Sequence, residues 1–304
     1  MTSTVLVTGA SGFLGRQLFN IFQRSGVLVV GQGLTRAAPP TILKANLEKA
    51  EDIKALLDDV KPQIVIHSAA NRFPDLCEKD PEQARKVNVD ATRALAEECQ
   101  ARGAFLIYIS TDYVFSGKEG EAPYEADAET NPPNIYGELK RDGELAVLEA
   151  TKDSGLGVVL RVPVLYGAAK QNSESAVNIL LDAVEKAQDE NAGVKMDDWA
   201  QRYPTNTEDV ARVTRDIVIK YLQQKDQIQE LPHILQFTSE DRMTKYEICE
   251  KLAEVMGWGL PGMIRNKQGN EPGGVQRPYD THLSTKALVD LGIDVRTMDF
   301  VAWW

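Results

Sequence analysis

Short apolar runs alternate with amphipathic stretches through the first half of the chain. The apolar runs have the length of buried strands, and they are VLVT (5–8), VLVVG (27–31), IVIH (64–67), AFLIYIS (104–110) and GVVLRV (157–162). Between them, helical periodicity predicts helices at 13–26, near 81–102 and near 134–150. Continuous apolar strands separated by helices indicate a parallel sheet covered on both faces. We therefore predict an α/β fold with a doubly wound parallel sheet, which binds ligands beyond the carboxyl ends of its strands.

The pattern changes after about residue 163. The second half predicts a series of mixed elements, which are a helix near 174–188, an irregular polar stretch from Asp189, a helix at 208–222, a strand at 233–237, a helix within 243–257 and a glycine-rich loop at 257–281. Thr244 and Glu247 have the spacing of a reciprocal N-cap box. We predict two interleaved units. The first is a dinucleotide-binding domain formed by residues 1–163 and, further along the chain, by residues 205–237. The second is a smaller substrate or partner lobe formed by residues 164–204 and 238–304.

Composition and charge exclude several classes of function. The 304-residue chain has a net charge of −11, from 34 basic and 45 acidic residues. This balance disfavours nucleic acid and anionic membrane surfaces as partners, because both attract a basic face. No apolar stretch approaches the roughly 18 residues of a membrane span. The N-terminus has no basic region before its first apolar run, so a secretion signal is not indicated. We expect a cytoplasmic protein that binds neither nucleic acid nor membrane.

Cysteine and histidine are sparse and lack the spacing of metal ligands. Cys77, Cys99 and Cys249 are far apart and form no Cys-x-x-Cys pair, which disfavours a zinc site and a disulfide scaffold. His67 ends an apolar run, so we interpret it as a packed residue rather than a catalyst. The sequence therefore predicts a reduced protein without a metal.

A glycine-rich segment follows the first predicted strand. Gly9, Gly12 and Gly15 form the pattern Gly-x-x-Gly-x-x-Gly between that strand and the first helix. A sharp turn there lets backbone N–H groups approach a pyrophosphate, and the positive end of the helix faces the anion. The alternative is a glycine-rich turn without a ligand. The position after a strand and before a helix favours dinucleotide binding.

The end of the second strand indicates which dinucleotide binds. NAD enzymes usually carry an acidic residue there, which accepts a hydrogen bond from the ribose 2′-hydroxyl. Here no acid occurs between Val27 and Glu48, and Arg36 lies just beyond the strand. Arginine suits a 2′-phosphate, so we predict NADP(H) as the cofactor. The alternative for Arg36 is an ordinary surface residue.

A tyrosine and a lysine are spaced by one helical turn in NPPNIYGELK (131–140). Tyr136 and Lys140 therefore project from the same helix face. Beside a nicotinamide, Tyr136 can donate a proton to a substrate carbonyl, and we expect the Lys140 ammonium to lower the pKa of the phenol from its usual value of about 10. Thr111 follows a central strand and can hold the carbonyl oxygen. The alternative is a solvated helix face.

These motifs together resemble a known family. The Gly-x-x-Gly-x-x-Gly loop, HSAA (67–70), NVDAT (88–92), STDYVFSG (110–117), Tyr136-x-x-x-Lys140 and LRVPVLYG (160–167) occur in the order found in extended short-chain dehydrogenases/reductases, which have a Rossmann fold. The set is similar to the dTDP-4-dehydrorhamnose reductase branch, and STDYVF is its most specific element. The resemblance covers nearly the whole chain.

The resemblance implies roles for individual residues. Thr111, Tyr136 and Lys140 take the catalytic positions, with Ser110 as the alternative if the register differs by one residue. The positions implied to contact the cofactor are Gly9, Ser11, Gly12, Phe13, Leu14, Gly15, Arg36, Asn46, Leu47, Ser68, Arg72, Tyr136, Lys140 and Val164.

Longer segments resemble one group within this branch. The regulatory beta subunits of methionine adenosyltransferase have segments similar to RFPDLCEKDP (72–81), GAFLIYISTDYVF (103–115), ESAVNILLDAV (174–184), MDDWAQRYPTNTEDVA (196–211) and MTKYEICEKLA (243–253). Arg202 fits the beta subunits better than the reductases, which usually have glycine there. The beta subunits continue beyond the position of Trp304 with a tail that takes part in docking on the catalytic subunit, so the resemblance leaves the docking of this chain open.

Three functions follow from the resemblance. The first is an NADP(H)-binding regulatory subunit that binds a methionine adenosyltransferase catalytic subunit and modulates S-adenosylmethionine synthesis. The second is an active NADPH-dependent reductase of a nucleotide-linked 4-keto-6-deoxy sugar. The third is an epimerase or dehydratase. Dehydratases of this class have an acidic pair beside the catalytic tyrosine and need bound NAD+. This function is disfavoured here, because Thr111–Asp112 supplies a single acid and the end of strand two disfavours NAD. We favour the regulatory subunit, because the longest similar segments belong to it.

Overall fold

The computed structural model describes residues 3–304. Its strands are β1 (Thr4–Thr8), β2 (Leu28–Gly33), β3 (Ile42–Lys44), β4 (Ile64–His67), β5 (Phe105–Thr111), β6 (Gly157–Val162), β7 (Leu165–Tyr166), β8 (Val194–Asp197), β9 (Thr205–Asn206), β10 (Ile234–Gln236) and β11 (Met263–Asn266). Its α-helices are α1 (Phe13–Arg24), α2 (Ala50–Val60), α3 (Pro74–Lys79), α4 (Pro81–Arg85), α5 (Ala91–Arg102), α6 (Ile135–Thr151), α7 (Leu180–Lys186), α8 (Thr207–Gln223), α9 (Lys245–Met256), α10 (Lys286–Asp290) and α11 (Phe300–Trp303). Within this part of the chain, no helix is both long and apolar enough to cross a membrane.

Seven strands form one parallel sheet in the order β10-β6-β5-β4-β1-β2-β3. The order reverses direction at β1, so the chain builds one half of the sheet outward from β1 and then crosses to build the other half. Residues of β5 alternate between two apolar layers, because successive side chains of a strand point to opposite faces. Ile107 packs in the layer that contains α1 and α8, and Leu106 packs in the layer that contains α2, α5 and α6. The predicted doubly wound sheet is confirmed.

The smaller lobe has a core of its own. Tyr166, Leu252 and Phe300 are buried in a third apolar cluster, where β8 pairs with β11. Residues 207–236 lie with the main sheet, because β10 pairs with β6 and α8 packs on the α1 side. The boundaries of the two proposed units stay a prediction.

Several local predictions are confirmed and others are wrong. The Thr244–Glu247 capping box is present at the start of α9. The helix predicted near 174–188 is shorter, because a 3-10 turn at Asn172–Glu174 precedes α7. The glycine-rich stretch 257–281 contains β11, which the glycine and proline content concealed. The long helix predicted near 81–102 contains a π-helical segment at Lys86–Asp90.

Candidate functional site

One cavity of about 510 Å³ lies at the carboxyl ends of the sheet strands. All the residues that the sequence predicted for cofactor binding and catalysis line this cavity, and they are Gly9, Ser11, Gly12, Phe13, Leu14, Gly15, Arg36, Asn46, Leu47, Ser68, Arg72, Thr111, Tyr136, Lys140 and Val164. Ser110, the alternative to Thr111, also lines it. Residues far apart in the chain thus meet where a doubly wound fold binds its ligand.

The glycine loop forms one wall of the cavity. Gly9 has φ of +64°, a conformation that favours glycine. A Cβ atom on Gly15 would lie 2.0 Å from the carbonyl oxygen of Gly9, so only glycine permits this approach of α1 to the loop. Gln32 of β2, which the sequence did not single out, fixes the loop by accepting a hydrogen bond from the Gly9 N–H at 3.0 Å. The result is a backbone cradle at the N-terminus of a helix, which fits a pyrophosphate.

Three arginines and one glutamate form what we call the arginine end, which consists of Arg16, Arg36, Arg72 and Glu174. Arg36, Arg72 and Glu174 line the cavity, and Arg16 is joined to them through Glu174. Glu174 accepts hydrogen bonds from Arg16 Nη2 at 2.6 Å and from Arg36 Nη1 at 2.9 Å. Arg72 Nη2 donates to the Ser173 carbonyl at 3.4 Å. Arg36 therefore lies where the sequence predicted an arginine for a 2′-phosphate, but its guanidinium holds an acid from a distant segment.

Thr111, Asp112, Tyr136 and Lys140 form the opposite end, which we call the reaction end. Asn134 caps α6 by accepting a hydrogen bond from the Gly137 N–H at 2.9 Å. Tyr136 and Lys140 therefore lie in the first two turns of that helix, against the end of β5. The Tyr136 ring meets the Tyr113 ring edge-on, with 6.0 Å between centroids.

The electrostatics of the reaction end differ from the prediction. We expected Lys140 to lower the pKa of Tyr136, but burial raises this pKa well above its usual value. Lys140 Nζ instead donates to the Ile109 carbonyl at 2.7 Å and lies 4.0 Å from the centroid of the Tyr108 ring. Burial lowers the pKa of Lys140 to about 7. The prediction was wrong because desolvation of the buried phenol is the largest influence on the pKa of Tyr136, and the phenol stays protonated and able to donate.

The hydroxyl groups of Thr111 and Ser110 have different partners. Thr111 Oγ1 donates to Asp112 Oδ1 at 3.0 Å, and Thr281 Oγ1 donates to Asp112 Oδ2 at 2.6 Å. Ser110 Oγ donates to Glu144 Oε1 at 2.5 Å, in a buried contact. Burial raises the pKa of Asp112. Thr111 therefore donates to Asp112, an acid of the cavity wall, whereas the Ser110 hydroxyl is already bonded to the buried Glu144.

Arg202, which distinguishes the chain from reductases, lies under the same region. Its Nη1 donates to the carbonyls of Gln201 at 2.8 Å and Pro278 at 3.2 Å. Its guanidinium carbon is 5.9 Å from the centroid of the Tyr113 ring, and the residue is buried. Arg202 therefore connects the glycine-rich segment of the smaller lobe to the reaction end.

The cavity fits a dinucleotide and offers no metal site. The glycine cradle suits a pyrophosphate, the arginine end suits a ribose phosphate, and the reaction end places a phenol and a lysine amine beyond the central strand. No group of three or more His, Cys, Asp or Glu residues between Ser3 and Trp304 is arranged to hold a metal ion.

Sequence reasoning missed Arg16, Gln32 and Glu174. Arg16 directly follows the last glycine of the motif, so its position in the first turn of α1 was an available signal. Glu174 had no such signal, because it lies 158 positions from Arg16 and 138 from Arg36.

Comparisons with known proteins show the family of the chain. The family model described as "RmlD substrate binding domain" matches residues 3–299. The methionine adenosyltransferase 2 subunit beta of Xenopus tropicalis is 41% identical over 293 residues, which cover 96% of this chain and 83% of that protein. The dTDP-4-dehydrorhamnose reductase of Streptomyces griseus is 37% identical over 206 residues, which cover 68% of this chain and 62% of that protein.

A solved structure shares the fold. The dTDP-4-dehydrorhamnose reductase of Bacillus anthracis, determined in complex with NADP, matches with a TM-score of 0.80 at 21% identity, covering 100% of this chain and 96% of that chain. The predicted fold class and the resemblance found from the motifs are both confirmed.

Proposed function

The chain belongs to the RmlD substrate binding domain family and, within it, to the group of methionine adenosyltransferase beta subunits, and from this premise we propose that it is an NADP(H)-binding regulatory subunit. Its partner in this proposal is the catalytic subunit of a methionine adenosyltransferase, whose synthesis of S-adenosylmethionine it modulates. The observation that carries the proposal is the likeness to the beta subunits along nearly the whole chain, including the smaller lobe. We place it in the cytoplasm.

The proposed cofactor roles follow from the cavity. The glycine loop binds the pyrophosphate, Arg36 and Arg16 bind the 2′-phosphate, and Lys140 contacts the nicotinamide ribose. The NADP complex of the Bacillus anthracis reductase supports the choice of NADP(H) for a protein of this fold. Bound NADP(H) supplies a hydride donor or acceptor next to the reaction end, whether or not a substrate is reduced there.

The second candidate is a reductase of a nucleotide-linked 4-keto-6-deoxy sugar. Thr111, Tyr136 and Lys140 lie together in the cavity, and the protonated Tyr136 phenol is suited to deliver a proton to a carbonyl oxygen. The likeness to a named reductase supports this activity, but it covers a smaller part of the chain.

A paired assay separates the two functions. The purified chain is mixed with a methionine adenosyltransferase catalytic subunit, with and without NADPH, and complex formation and the rate of S-adenosylmethionine synthesis are measured. In parallel, NADPH oxidation is followed with a dTDP-linked 4-keto-6-deoxy sugar. We expect a complex with altered kinetics and no oxidation. Rapid oxidation of NADPH without any complex would identify a reductase instead.

A further inference from the structure

Glu174 belongs to a segment of the smaller lobe and contacts the dinucleotide-binding domain. It ends the 3-10 turn Asn172–Glu174, in the segment that leads from β7 to α7 of the smaller lobe, and its side chain lies against the cofactor half of the cavity. The Lys170 N–H also donates to Glu174 Oε2, at 2.9 Å. The carboxylate thus fastens its own segment to the dinucleotide-binding part of the molecule.

The contacts of Glu174 resemble those of a bound phosphate. Its two oxygens take up both terminal nitrogens of Arg16, at 2.6 and 3.1 Å, and one oxygen also accepts from Arg36 at 2.9 Å. Paired guanidinium groups around one small anion are the arrangement that proteins use for phosphates and carboxylates alike. The hydrogen bonds from Arg16 and, to a smaller extent, Arg36 lower the pKa of Glu174 to about 2, so the group is ionised at neutral pH.

The charged residues around the Glu174 carboxylate are mostly basic. Arg72 supplies a third guanidinium and donates to the Ser173 carbonyl of the same turn at 3.4 Å. Glu48, an acid that also lines the cavity, accepts a hydrogen bond from Gln83 at 3.0 Å and is thus tied to another helix. Two arginines therefore bind the carboxylate and a third binds the backbone of the same turn, so the local charge stays positive.

We propose that Glu174 is a built-in competitor of the 2′-phosphate, which NADP(H) displaces from Arg16 and Arg36 when it binds. This inference rests on the proposed NADP(H) function and adds a regulatory step to it. Arg36 cannot direct the same N–H groups at both anions, and the carboxylate repels a phosphate at contact distance. NAD(H) has no group that replaces the carboxylate, so it leaves the segment fastened.

Displacement has a structural consequence for the smaller lobe. Release of Glu174 frees the turn at Asn172–Glu174 from Arg16 and Arg36, and residues 175–179 connect this turn to α7. Helix α7 packs with α9 in the core of the smaller lobe. The smaller lobe thereby responds to the binding of NADP(H) but not to the binding of NAD(H).

The test compares Glu174→Gln with Asp182→Asn. Glu174→Gln keeps the shape of the side chain and removes its charge. Asp182→Asn is the matched control, because Asp182 accepts a hydrogen bond from Asn172 of the same turn at 2.6 Å but touches no arginine of the cavity. Calorimetric titration with NADPH and with NADH gives the affinities, and hydrogen exchange over residues 170–176 reports the release of the segment.

We expect Glu174→Gln to bind NADPH about tenfold more tightly than the wild type, since a charged competitor is removed, with NADH affinity unchanged and Asp182→Asn like the wild type. NADPH, but not NADH, should speed exchange at 170–176 in the wild type, and Glu174→Gln should show fast exchange without any cofactor. Equal or weaker NADPH binding by Glu174→Gln would overturn the inference, because Glu174 would then only position the arginines.

The outcomes distinguish this inference from the proposed function. Absence of NADPH binding by both the wild type and Glu174→Gln would contradict the cofactor assignment and the competitor together. Normal NADPH binding with no gain in Glu174→Gln would remove the competitor alone. Tighter binding by Glu174→Gln without any effect on a methionine adenosyltransferase would support the competitor and contradict the regulatory role.

Discussion

The two ends of the cavity are stabilised differently, one by a buried ion pair and the other by a partly exposed one. At the reaction end, Lys140 is 2% exposed and lies above a buried ion pair between Glu144 and Arg161. At the arginine end, the Arg36 side chain is 54% exposed and its pair with Glu174 reaches solvent. A buried pair broken on one side leaves an uncompensated charge, whereas a half-exposed pair can exchange one anion for another. The reaction end is therefore fixed, whereas the arginine end can exchange partners at Arg36, although Arg16 and Glu174 are only 18% and 13% exposed.

The fixed character of the reaction end comes from the layer beneath it. Arg161 of β6 donates to Glu144 of α6 through Nε at 2.9 Å and Nη2 at 2.7 Å. Ser110 of β5 adds a hydrogen bond to the same carboxylate at 2.5 Å. Two central strands and the helix that carries Tyr136 are thus joined by one buried network.

Breaking this network should give the largest effect on the fold. Glu144→Ala leaves Arg161 buried without its partner, and we expect the free energy of unfolding to fall by about 3–5 kcal/mol. Urea denaturation of the wild type and the variant measures the change. Glu149→Ala is the control on the same helix, because its pair with Lys152 is exposed and should contribute little to stability. Equal losses from the two variants would contradict the distinction between the ends.

A smaller effect is expected at the arginine end, and on binding rather than on folding. Arg36→Ala should lose about 1.5–3 kcal/mol of NADPH affinity through the missing charge-assisted hydrogen bond. NADH affinity and the free energy of unfolding should change little. Calorimetry with both cofactors tests this, and Arg24→Ala serves as a control because Arg24 is an exposed residue outside the cavity. A parallel loss of NADH affinity would show that Arg36 does not read the 2′-phosphate.

The same contrast explains what the sequence could predict. Tyr136 and Lys140 are one helical turn apart, and Thr111 ends the strand beside them, so local patterns were enough to predict that these residues lie together. The glycine loop was equally local. Glu174 reaches the arginine end from the other lobe, and no periodicity connects it to Arg36. Charge partners that meet through tertiary structure alone were therefore missed.

Local sequence patterns also did not indicate how deeply the site residues are buried. The sequence indicated that Lys140 and Tyr136 are neighbours, but the sign of the Tyr136 pKa shift depends on how far both groups are removed from water. Strand β11 was missed for a related reason, since it is a short strand whose only partner, among the described residues, is β8. Short elements supported by tertiary pairing carry little signal of their own.

The buried lysine predicts a pH dependence of stability. The pKa of Lys140 is about 7 in the folded chain, whereas the pKa of a lysine in the unfolded chain is about 10.4. Between these values the unfolded chain holds a proton that the folded chain lacks, so the contribution of Lys140 to stability rises by about 1.4 kcal/mol per pH unit.

Lys140→Met removes this titration and isolates its contribution. The difference in free energy of unfolding between the wild type and the variant should move in favour of the wild type as pH rises above about 7. Urea unfolding at several pH values measures it, and titrations common to both proteins cancel. A difference that stays constant with pH would mean that Lys140 keeps its charge in the folded protein, through contacts such as the Ile109 carbonyl and the Tyr108 ring.

The smallest effect is expected from Tyr136→Phe, and it decides how the reaction end is used. The ring and its edge-on contact with Tyr113 remain, so the affinity for NADPH should change by less than about 0.5 kcal/mol. A regulatory subunit needs the cofactor site but not the phenol, and we expect Tyr136→Phe to modulate a methionine adenosyltransferase as the wild type does. If the protein instead reduces a keto-sugar, the loss of the proton donor should slow NADPH oxidation by about 10²–10⁴. Because Lys140→Met should weaken cofactor binding in either case, loss of modulation with Lys140→Met but not with Tyr136→Phe would assign the reaction end to cofactor binding alone.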